Sequence, residues 1–393
     1  MFQDMKARSP TTKKLVLNGA NLQLGGGVQV CVGLIEAIVD HGDESGFDWK
    51  FLVSPEVWDC LTDRAQQDGR CTVIEGWCST LFMGSMAKSR INAIIDEFKP
   101  ELVFTVFGPI YFDVKAVHLM GFADPWILNP NQIAWSRLGI RARIHLLLRL
   151  AYKRLGLVKA DYWWVETDLA RDNLAKLLRV ESSRVFSIPN YPSMMLQEKR
   201  RPRSYEEKIR VLDMLEMVYV AHPHIHKNHR MLVDISRDLK LRGVKHNITV
   251  TVPLDSDEWL ALSSAMEKEG VVDNFTNVAR VTLSQVFDLY GRSHVLLFPS
   301  LLEVFSNSFF EAMATETLIV TADFNFNRTV CDNYALFYSP ADASAASNIL
   351  TDISRSPASY GCLVKSAKAY FDSIDANDKY ARHVATIKAI LDH

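Results

Sequence analysis

Short apolar runs alternate with segments of helical period along this 393-residue chain. The runs are KKLVLNG, DWKFLVS, ELVFTVFGP and ADYWWVET in the first half, and EMVYVAHP, NITVTVP, HVLLFPS and TLIVTAD in the second. Apolar runs of about four to eight residues are typical of strands buried on both faces of a parallel sheet, with the intervening helices covering those faces. The pattern predicts an α/β protein with two parallel sheets.

A stretch without apolar period separates the two halves. It reads IPNYPSMMLQEKRRPRSYEEKIR, where prolines and closely spaced charges interrupt regular structure. We predict a Rossmann-like domain over residues 1–195, a linker over 196–208 and a second Rossmann-like domain over 209–372. A C-terminal helix at about 373–393 is expected to pack back on the first domain. Ligands bind beyond the carboxyl ends of parallel strands, so two such domains facing each other would enclose a cleft.

Composition narrows the class of protein. Apolar residues make up 48% of the chain and its formal net charge is -2, so no overall attraction to nucleic acid is expected. The six cysteines contain no CxxC pair, which argues against a zinc ribbon or a secreted disulfide framework. The sequence shows neither a signal peptide nor the roughly 20 apolar residues of a spanning helix. We expect a cytoplasmic protein.

A glycine-rich motif follows the first predicted strand, in NLQLGGGVQVCVGLIEAIVD. Gly25, Gly26 and Gly27 allow a close backbone approach to a ligand, and the helix N-terminus behind them favours an anion. The dinucleotide fingerprint GxGxxG is not met, because Val30 stands where its last glycine would be. A flexible turn is an equally good interpretation of this motif alone.

A second motif lies in HVLLFPSLLEVFSNSFFEAMATETLIVTAD, which begins with a predicted strand over residues 294–298. The polar residues that follow this strand are Glu303, Ser306, Asn307, Ser308 and Glu311. Ser306 is a suitable N-cap, and the free N–H groups of the helix behind it are able to bind a pyrophosphate without a metal ion. The two carboxylates suit the diols of ribose or a hexose, because each accepts two hydrogen bonds.

This phrase resembles the hallmark of the retaining glycosyltransferases of family 4, which have the GT-B fold. The hallmark is a strand, then PS, a glutamate, seven residues, and a second glutamate followed by AMA. The resemblance extends upstream to ADYWWVETDLARDNLAKLL, VFSIPNYP and VAHPHIHKNHRML, and downstream to TLIVTADFNFNRTVCDNYALFYSPADASAASNIL. It therefore covers most of the chain, and its specific part is the C-terminal half.

The resemblance implies transfer of a hexose-type sugar from a nucleotide diphosphate sugar to a glycan or lipid-linked acceptor, with retention and without a metal. It places Lys227 on the diphosphate, Glu303 on the sugar and Glu311 on the ribose. A histidine near the reacting carbon is offered by His118, for which a core position is an equal alternative, or less well by Asp124. The donor-binding residues implied are Gly26, Gly27, Lys227, Ser306, Asn307, Ser308 and Glu311, and the catalytic ones Lys227, Glu303 and His118.

The histidines around Lys227, in VYVAHPHIHKNHR, suggest another chemistry. Alternation along an extended segment would place His222, His224 and His226 on one side, as a metal site requires. Many family members carry an arginine five or six residues before the lysine, where this chain has Ala221 or His222. Either Lys227 carries more of the diphosphate binding, or His222 donates in place of the arginine.

Two further motifs have alternative interpretations. Asp255 and Asp257 in PLDSDEW imitate the metal-binding DxD motif, but acidic residues and a serine also cap a helix. Residues 136–160, SRLGIRARIHLLLRLAYKRLGLVKA, combine bases with interleaved leucines and isoleucines, which favours either an anionic membrane surface or a solvated helix. The bases are Arg137, Arg141, Arg143, Arg149, Lys153, Arg154 and Lys159.

The resemblance therefore implies a metal-independent glycosyltransferase of bacterial surface polysaccharide assembly, and we expect it to be cytoplasmic or peripheral at the inner face of the membrane. One alternative is a nucleotide-binding or scaffold protein on a GT-B frame that lacks turnover. A metal-dependent hydrolase that uses His222, His224 and His226 is the third.

Overall fold

The chain divides into two compact units. The computed structural model describes residues 12–23, 25–42, 46–76, 84–190, 202–375 and 378–392, without the side chain of Leu283. The first unit comprises Met1–Ala123, His145–Pro189 and Asn377–His393, and the second comprises Asp124–Ile144 and Asn190–Ala376. Each unit is built on its own sheet.

The sheet of the first unit has seven parallel strands in the order β3-β2-β1-β4-β5-β6-β7. Its strands are β1 Lys13–Gly19, β2 Phe47–Val53, β3 Cys71–Val73, β4 Leu102–Thr105, β5 Val117–Gly121, β6 Tyr162–Val165 and β7 Val185–Ser187. The central strands β1 and β4 pair with Leu15 opposite Leu102.

The sheet of the second unit has six parallel strands in the order β10-β9-β8-β11-β12-β13. Its strands are β8 Leu215–Tyr219, β9 His246–Val250, β10 Phe275–Asn277, β11 Val295–Phe298, β12 Leu318–Ala322 and β13 Leu336–Tyr338. The two sheets share a strand order that reverses direction at the centre, between β1 and β4 and between β8 and β11. These are two α/β units of Rossmann-like topology.

Helices connect the parallel strands, and amphipathic spacing buries one side of most of them. The helices are α1 Gly26–His41, α2 Pro55–Trp58, α3 Asp63–Gln67, α4 Ser85–Phe98, α5 Pro125–Leu128, α6 Gln132–Ser136, α7 Ile140–Leu157, α8 Asp168–Leu178, α9 Tyr205–Ile209, α10 His229–Leu241, α11 Asp257–Glu269, α12 Leu283–Arg292, α13 Asn307–Ala314, α14 Asn325–Cys331, α15 Ala343–Arg355, α16 Gly361–Asp372 and α17 Asp378–Leu391. In the described part of the chain, none of them is both long and apolar enough to cross a membrane.

All eight apolar runs singled out in the sequence contain a strand. The strands that the pattern misses are β3, β5, β7, β10 and β13. Four of these have only three residues, and they lie toward the edges of the two sheets. Such short segments bury too little apolar surface to mark the sequence. The fifth, β5, lies within a longer apolar run around His118, and the apolar pattern does not show where the strand begins or ends in that run.

The division into units differs from the predicted boundaries in two places. Residues 124–144, predicted in the first domain, belong to the second unit. The end of the predicted linker, in the described residues from 202 onward, already packs in the second unit, because Tyr205 and Lys208 of α9 are buried there. The C-terminal helix α17 contributes Tyr380, Ile387 and Ile390 to the core of the first unit.

The buried Lys208 anchors α9 in the second unit. Its three N–H donors are shared among four oxygens: the carbonyl oxygens of Tyr290, Thr315 and Glu316 at 3.2, 2.8 and 3.1 Å, and the Thr317 hydroxyl at 3.0 Å. The carbonyl acceptors lie at the C-terminal ends of two helices, where such groups lack partners within the helix. Burial lowers the pKa of Lys208 to about 7, and Glu316 opposes that shift.

Candidate functional site

The centre of the second sheet brings two loops together. Strand order reverses between β8 and β11, and ligands of open parallel sheets bind beyond the carboxyl ends of the strands at such a point. The loop after β8 carries Lys227, and the loop after β11 carries Glu303. Topology alone therefore places these two predicted residues next to each other.

The loop after β8 ends in a tight turn that fixes Lys227. Residues Ile225–Lys227 form one turn of 3-10 helix, and Asn228 follows in the left-handed region with φ 57°. Asparagine tolerates that conformation better than most residues with a side chain. The Tyr219 hydroxyl donates to the carbonyl oxygen of Lys227 at 2.9 Å, and the Asn228 amide donates to that of Pro299 at 3.2 Å.

Backbone hydrogen bonds tie the two loops to each other. The N–H group of Leu301 donates to the carbonyl oxygen of His226 at 2.7 Å. The single hydrogen of the Ser300 hydroxyl is shared between that oxygen at 3.3 Å and the carbonyl oxygen of Leu302 at 3.2 Å. A loop held through its backbone loses less entropy when its side chains bind a ligand. The backbone that carries the Lys227 and Glu303 side chains is thus fixed by hydrogen bonds between the two loops.

Lys227 and Glu303 form an ion pair within the second unit. Lys227 Nζ lies 2.6 Å from Glu303 Oε1, and the side chains are only 19% and 9% exposed. Charges in such partly dry surroundings interact more strongly than charges in water. An ammonium and a carboxylate held side by side are equipped to meet a phosphate and a hydroxyl of one ligand.

Helix α13 begins at Asn307, four residues after Glu303. Ser306 occupies the N-cap position without a side-chain capping hydrogen bond, and the buried Oδ1 of Asn307 has no hydrogen-bond partner in the described part of the chain. This oxygen is a hydrogen-bond acceptor and does not attract an anion, whereas the backbone N–H groups of the first turn, which have no side-chain cap, do. Ser308 follows in the first turn of the helix. The predicted helix start at Ser306 is therefore confirmed, whereas the predicted side-chain cap is absent.

Glu311 lies one turn into α13, as predicted. Burial raises the pKa of its carboxyl group to about 7, and the Tyr290 phenol opposes that shift. A buried carboxyl group with a pKa near neutrality changes charge readily when a ligand offers hydrogen-bond donors. The structure places Glu311 on the same helix as the Ser306 turn.

The histidines form a row of neighbouring rings. The ring centroids of His222 and His224 are 4.5 Å apart and those of His224 and His226 are 5.5 Å apart, with interplanar angles of 30° and 16°. Trp126 meets His226 edge-on at 5.9 Å. Among the described residues, no group of three or more His, Cys, Asp or Glu side chains converges on a point where a metal ion would fit. The third alternative, a histidine-bound metal, thus finds no support in this geometry.

Asp255 and Asp257 lie at the start of α11. The Ser256 hydroxyl accepts a hydrogen bond from the N–H group of Trp259 at 3.2 Å, and Asp257 lies in the first helical turn. The interpretation of this DxD-like motif as a helix cap is confirmed.

The glycine motif lies at the centre of the first sheet, after β1. Gly25 has φ 73°, which glycine adopts without strain, and it precedes α1, whose first turn has no side-chain cap. A Cβ atom on Gly26 would meet nothing within 4 Å, whereas one on Gly27 would lie 3.3 Å from Leu22. The turn thus leaves the N-terminus of α1 open.

His118 lies inside strand β5 and not after it. Its side chain is buried, with Nε2 2.9 Å from the Thr105 hydroxyl and Nδ1 3.4 Å from the carbonyl oxygen of Lys159. Burial lowers the pKa of His118 to about 4. Both ring nitrogens are engaged within the first unit, which corresponds to the alternative of a core histidine. Asp124 caps α5 by accepting from the N–H group of Trp126 at 2.9 Å.

The family model described as Glycosyl transferases group 1 matches residues 204–369. The matched residues all lie within the second unit. No curated protein sequence gives a significant match to the chain.

Solved structures extend the likeness to the whole chain. A glycosyltransferase from Rickettsia africae has TM-score 0.69 and 14% identity, over 96% of this chain and 99% of its own. Sucrose-phosphate synthase from Thermosynechococcus elongatus has TM-score 0.70 and 16% identity, over 96% and 99%. Anabaena HepE in complex with UDP and glucose has TM-score 0.67 and 12% identity, over 96% and 100%. These likenesses show the fold, which is GT-B, and with the group 1 domain they support a glycosyltransferase.

Two residues beside the charged pair escape sequence reasoning. Asn129 and Asn131 donate side-chain hydrogen bonds to the carbonyl oxygens of Glu303 and Leu301, at 2.6 and 2.7 Å. They lie about 170 positions before their partners, within the range predicted for the first domain. No apolar periodicity and no motif identifies these two asparagines in the sequence. The one available signal is their position in the irregular stretch NPN.

Proposed function

We propose that this protein is a retaining glycosyltransferase that transfers a hexose-type sugar from a nucleotide diphosphate sugar to a hydroxyl group of a glycan or lipid-linked acceptor. No metal ion takes part. The observation that carries the proposal is the Lys227–Glu303 pair of 2.6 Å at the central loops of the second sheet, in front of the open N-terminus of α13. Anabaena HepE, which has this fold and was solved in complex with UDP and glucose, lends support by analogy.

Donor recognition follows from the chemistry of each group. The Lys227 ammonium and the N–H groups behind Ser306 bind the diphosphate. Glu303 accepts hydrogen bonds from hydroxyl groups of the sugar, and Glu311 accepts them from the ribose. The Lys227–Glu303 ion pair opens or is shared when the donor enters, so neither charge is left unpaired. Gly26 and Gly27 provide a backbone that a ligand approaches closely.

The reaction breaks the bond between the anomeric carbon and the β-phosphate oxygen and forms a bond from the acceptor oxygen on the same face. The acceptor proton passes to the departing phosphate oxygen, so no protein base is required. Lys227 offsets the negative charge that grows on the diphosphate. This scheme does not use His118, whose ring nitrogens both lie in the core.

Turnover of a nucleotide-sugar panel tests the proposal. The protein is incubated with UDP-glucose, GDP-mannose, ADP-glucose and dTDP-glucose in EDTA, with and without a glycan acceptor, and the anomeric configuration of the product is read by NMR. We expect release of one nucleoside diphosphate and a product with the donor's configuration. An inverted product would refute retention. Tight nucleotide binding without turnover would favour the scaffold alternative.

We further propose that α7 holds the protein at an anionic membrane surface, at the inner face of a bacterial membrane where lipid-linked acceptors are extended into surface polysaccharides. The apolar residues of α7 that are between 55% and 77% exposed are Ile140, Ile144, Leu147, Leu148 and Leu155. At about 100° per residue they fall within an arc of roughly 100°. Arg141 borders this stripe on one side and Arg154 on the other.

Co-sedimentation with lipid vesicles tests the membrane proposal. We expect the protein to pellet with vesicles that contain phosphatidylglycerol and to dissociate as salt is raised, because each base near an anionic bilayer contributes about 1 kcal/mol. Replacement of Leu147 and Leu148 by serine should abolish pelleting. Leu241→Ser, at a side chain 79% exposed on α10, is the matched control. Equal pelleting of the double variant and the wild type would refute the role of α7.

A further inference from the structure

The loop that carries Glu303 has no regular structure of its own, and side chains satisfy its carbonyl groups. The donors are Asn228 to Pro299 at 3.2 Å, Asn131 to Leu301 at 2.7 Å, Ser300 to Leu302 at 3.2 Å and Asn129 to Glu303 at 2.6 Å. Buried carbonyl groups without a partner are rare in folded proteins. The backbone around Glu303 therefore depends on these few side chains for its conformation.

Two of the donors come from one segment, residues 124–136. This segment is ordered by its own contacts: Asp124 caps α5, Asn131 caps α6, and Trp126 meets Trp135 edge-on at 5.7 Å. The two caps and the contact between the aromatic rings restrict the conformation of the segment that carries Asn129 and Asn131. A hydrogen bond from a stiff element fixes its acceptor better than one from a mobile side chain.

The same segment contacts the lysine loop. Trp126 packs against His226, the residue just before Lys227, and the carbonyl oxygen of His226 accepts from the N–H group of Leu301. Residues 124–136 thus contact both of the loops that carry the charged pair. The Asn129 and Asn131 amides donate to the backbone of the Glu303 loop, and the Trp126 ring contacts His226 beside Lys227.

We propose that Asn129 and Asn131 are positioning residues that hold the Glu303 carboxylate in its reactive orientation beside Lys227. This inference rests on the proposed function, because it assigns to the two amides the alignment of a group that acts on the donor sugar. A carboxylate misplaced by about 1 Å is able to cost on the order of 10²-fold in rate. The amides set this alignment through the carbonyl oxygens of Leu301 and Glu303.

Isosteric changes separate alignment from folding. Asn131 uses both ends of its amide, because Oδ1 accepts from the N–H group of Ala134 at 2.9 Å while Nδ2 donates to Leu301. Asn131→Asp keeps the acceptor that caps α6 and replaces the donor by a charged oxygen, which repels the carbonyl oxygen of Leu301. Asn129→Asp likewise keeps the shape and places a charged oxygen against the carbonyl oxygen of Glu303. Asn274→Asp is the matched control, since that amide donates to the carbonyl oxygen of His246 at 3.0 Å at the opposite end of β9.

The test measures nucleoside diphosphate release from the four nucleotide sugars named above, together with the affinity for the free nucleotide. We expect Asn129→Asp and Asn131→Asp each to lower kcat by about 10- to 100-fold. Free nucleotide should bind as it does to the wild type, because it lacks the donor sugar on which Glu303 is proposed to act. Asn274→Asp should keep the wild-type kcat.

A double-mutant cycle with Glu303→Gln identifies the route of the effect. If the amides act through Glu303, Asn129→Asp in the Glu303→Gln background should change kcat by less than about twofold, since coupled residues are not additive. Two results would overturn this inference but leave the proposed function standing. One is full additivity of the two substitutions in kcat, and the other is an unchanged kcat in both Asn→Asp variants of an active enzyme. Absence of turnover in the wild type would overturn the proposed function and this inference with it.

Discussion

The two sheets have the same strand order at their centres but present different chemistry there. In the first unit the loops after β1 and β4 meet through a neutral contact, in which the Asn21 amide donates to the carbonyl oxygen of Phe107 at 2.7 Å. In the second unit the loops after β8 and β11 meet through a backbone hydrogen bond and also through the Lys227–Glu303 pair. Topology decides which loops meet, and the residues in them decide what they bind.

The helices that follow these loops extend the contrast. Helix α1 follows Gly25 and begins with Gly26 and Gly27, so its start carries no side chain. Helix α13 begins behind Ser306 and carries Glu311 one turn later. The first centre therefore offers open backbone, while the second offers charged side chains of both signs. This contrast favours the second unit as the holder of the charged donor.

Loss of the Lys227 ammonium should have the largest effect, because it removes the positive charge that distinguishes the second unit from the first. We expect Lys227→Ala to lower kcat by about 10²- to 10³-fold, the size found when a preorganised electrostatic group is removed. Release of nucleoside diphosphate measures the effect, and circular dichroism confirms that the variant is folded. A folded variant with unchanged kcat would show that Lys227 has no part in the reaction.

Removal of the buried carboxylate should weaken nucleotide binding. We expect Glu311→Gln to lower the affinity for the nucleotide by about 10- to 100-fold, because hydrogen bonds to a charged group contribute about 1.5–3 kcal/mol. Calorimetry measures the affinity. Asp288→Asn, on α12, serves as the control. Equal affinity in wild type and Glu311→Gln would refute the assignment of Glu311 to the ribose.

The raised pKa of Glu311 predicts a pH dependence that sharpens the same assignment. The pKa is about 7 in the free protein, and the ribose hydroxyls favour the ionised form, so binding releases a proton. Affinity for a nucleotide sugar should therefore fall as pH drops below 7, by about tenfold between pH 8 and pH 6. The ratio of wild-type to Glu311→Gln affinity isolates this effect from the titration of nearby histidines. A ratio that does not change with pH would contradict the prediction.

The smallest effect on activity should come from the first unit. We expect His118→Gln to keep kcat within about threefold while it destabilises the fold by about 1–3 kcal/mol, because Thr105 or Lys159 loses a buried partner. Thermal melting and turnover are measured on the same sample. A variant with wild-type stability and lost activity would reverse the assignment of His118 to the core.

The sequence predicts most of the interior strands, although not β5, and misses the short strands at the edges of both sheets. Runs such as HVLLF are apolar throughout because both faces of the strand are buried, so they are visible without a structure. The boundary at residues 124–144 was misplaced because chain order does not reveal which core a connecting segment joins.

The candidate site shows the same division. Lys227 and Glu303 follow two recognisable strands, so their neighbourhood was predictable from sheet topology. The Ser306 position was predicted as well, but its lack of a capping bond depends on a rotamer that sequence does not fix. Asn129 and Asn131 were missed, because side-chain bonds across about 170 residues leave no local pattern.

Thermal stabilisation by free nucleotides tests the central claim most directly. Wild type, Lys227→Ala and Glu311→Gln are melted with UDP, GDP, dTDP and ADP, each in EDTA. Stabilisation by a ligand grows with its concentration relative to Kd, so a bound nucleotide raises Tm. The account predicts that one nucleotide raises the Tm of the wild type in EDTA and that the shift shrinks in both variants. Absence of a shift with all four nucleotides, or a full shift in both variants, would contradict it.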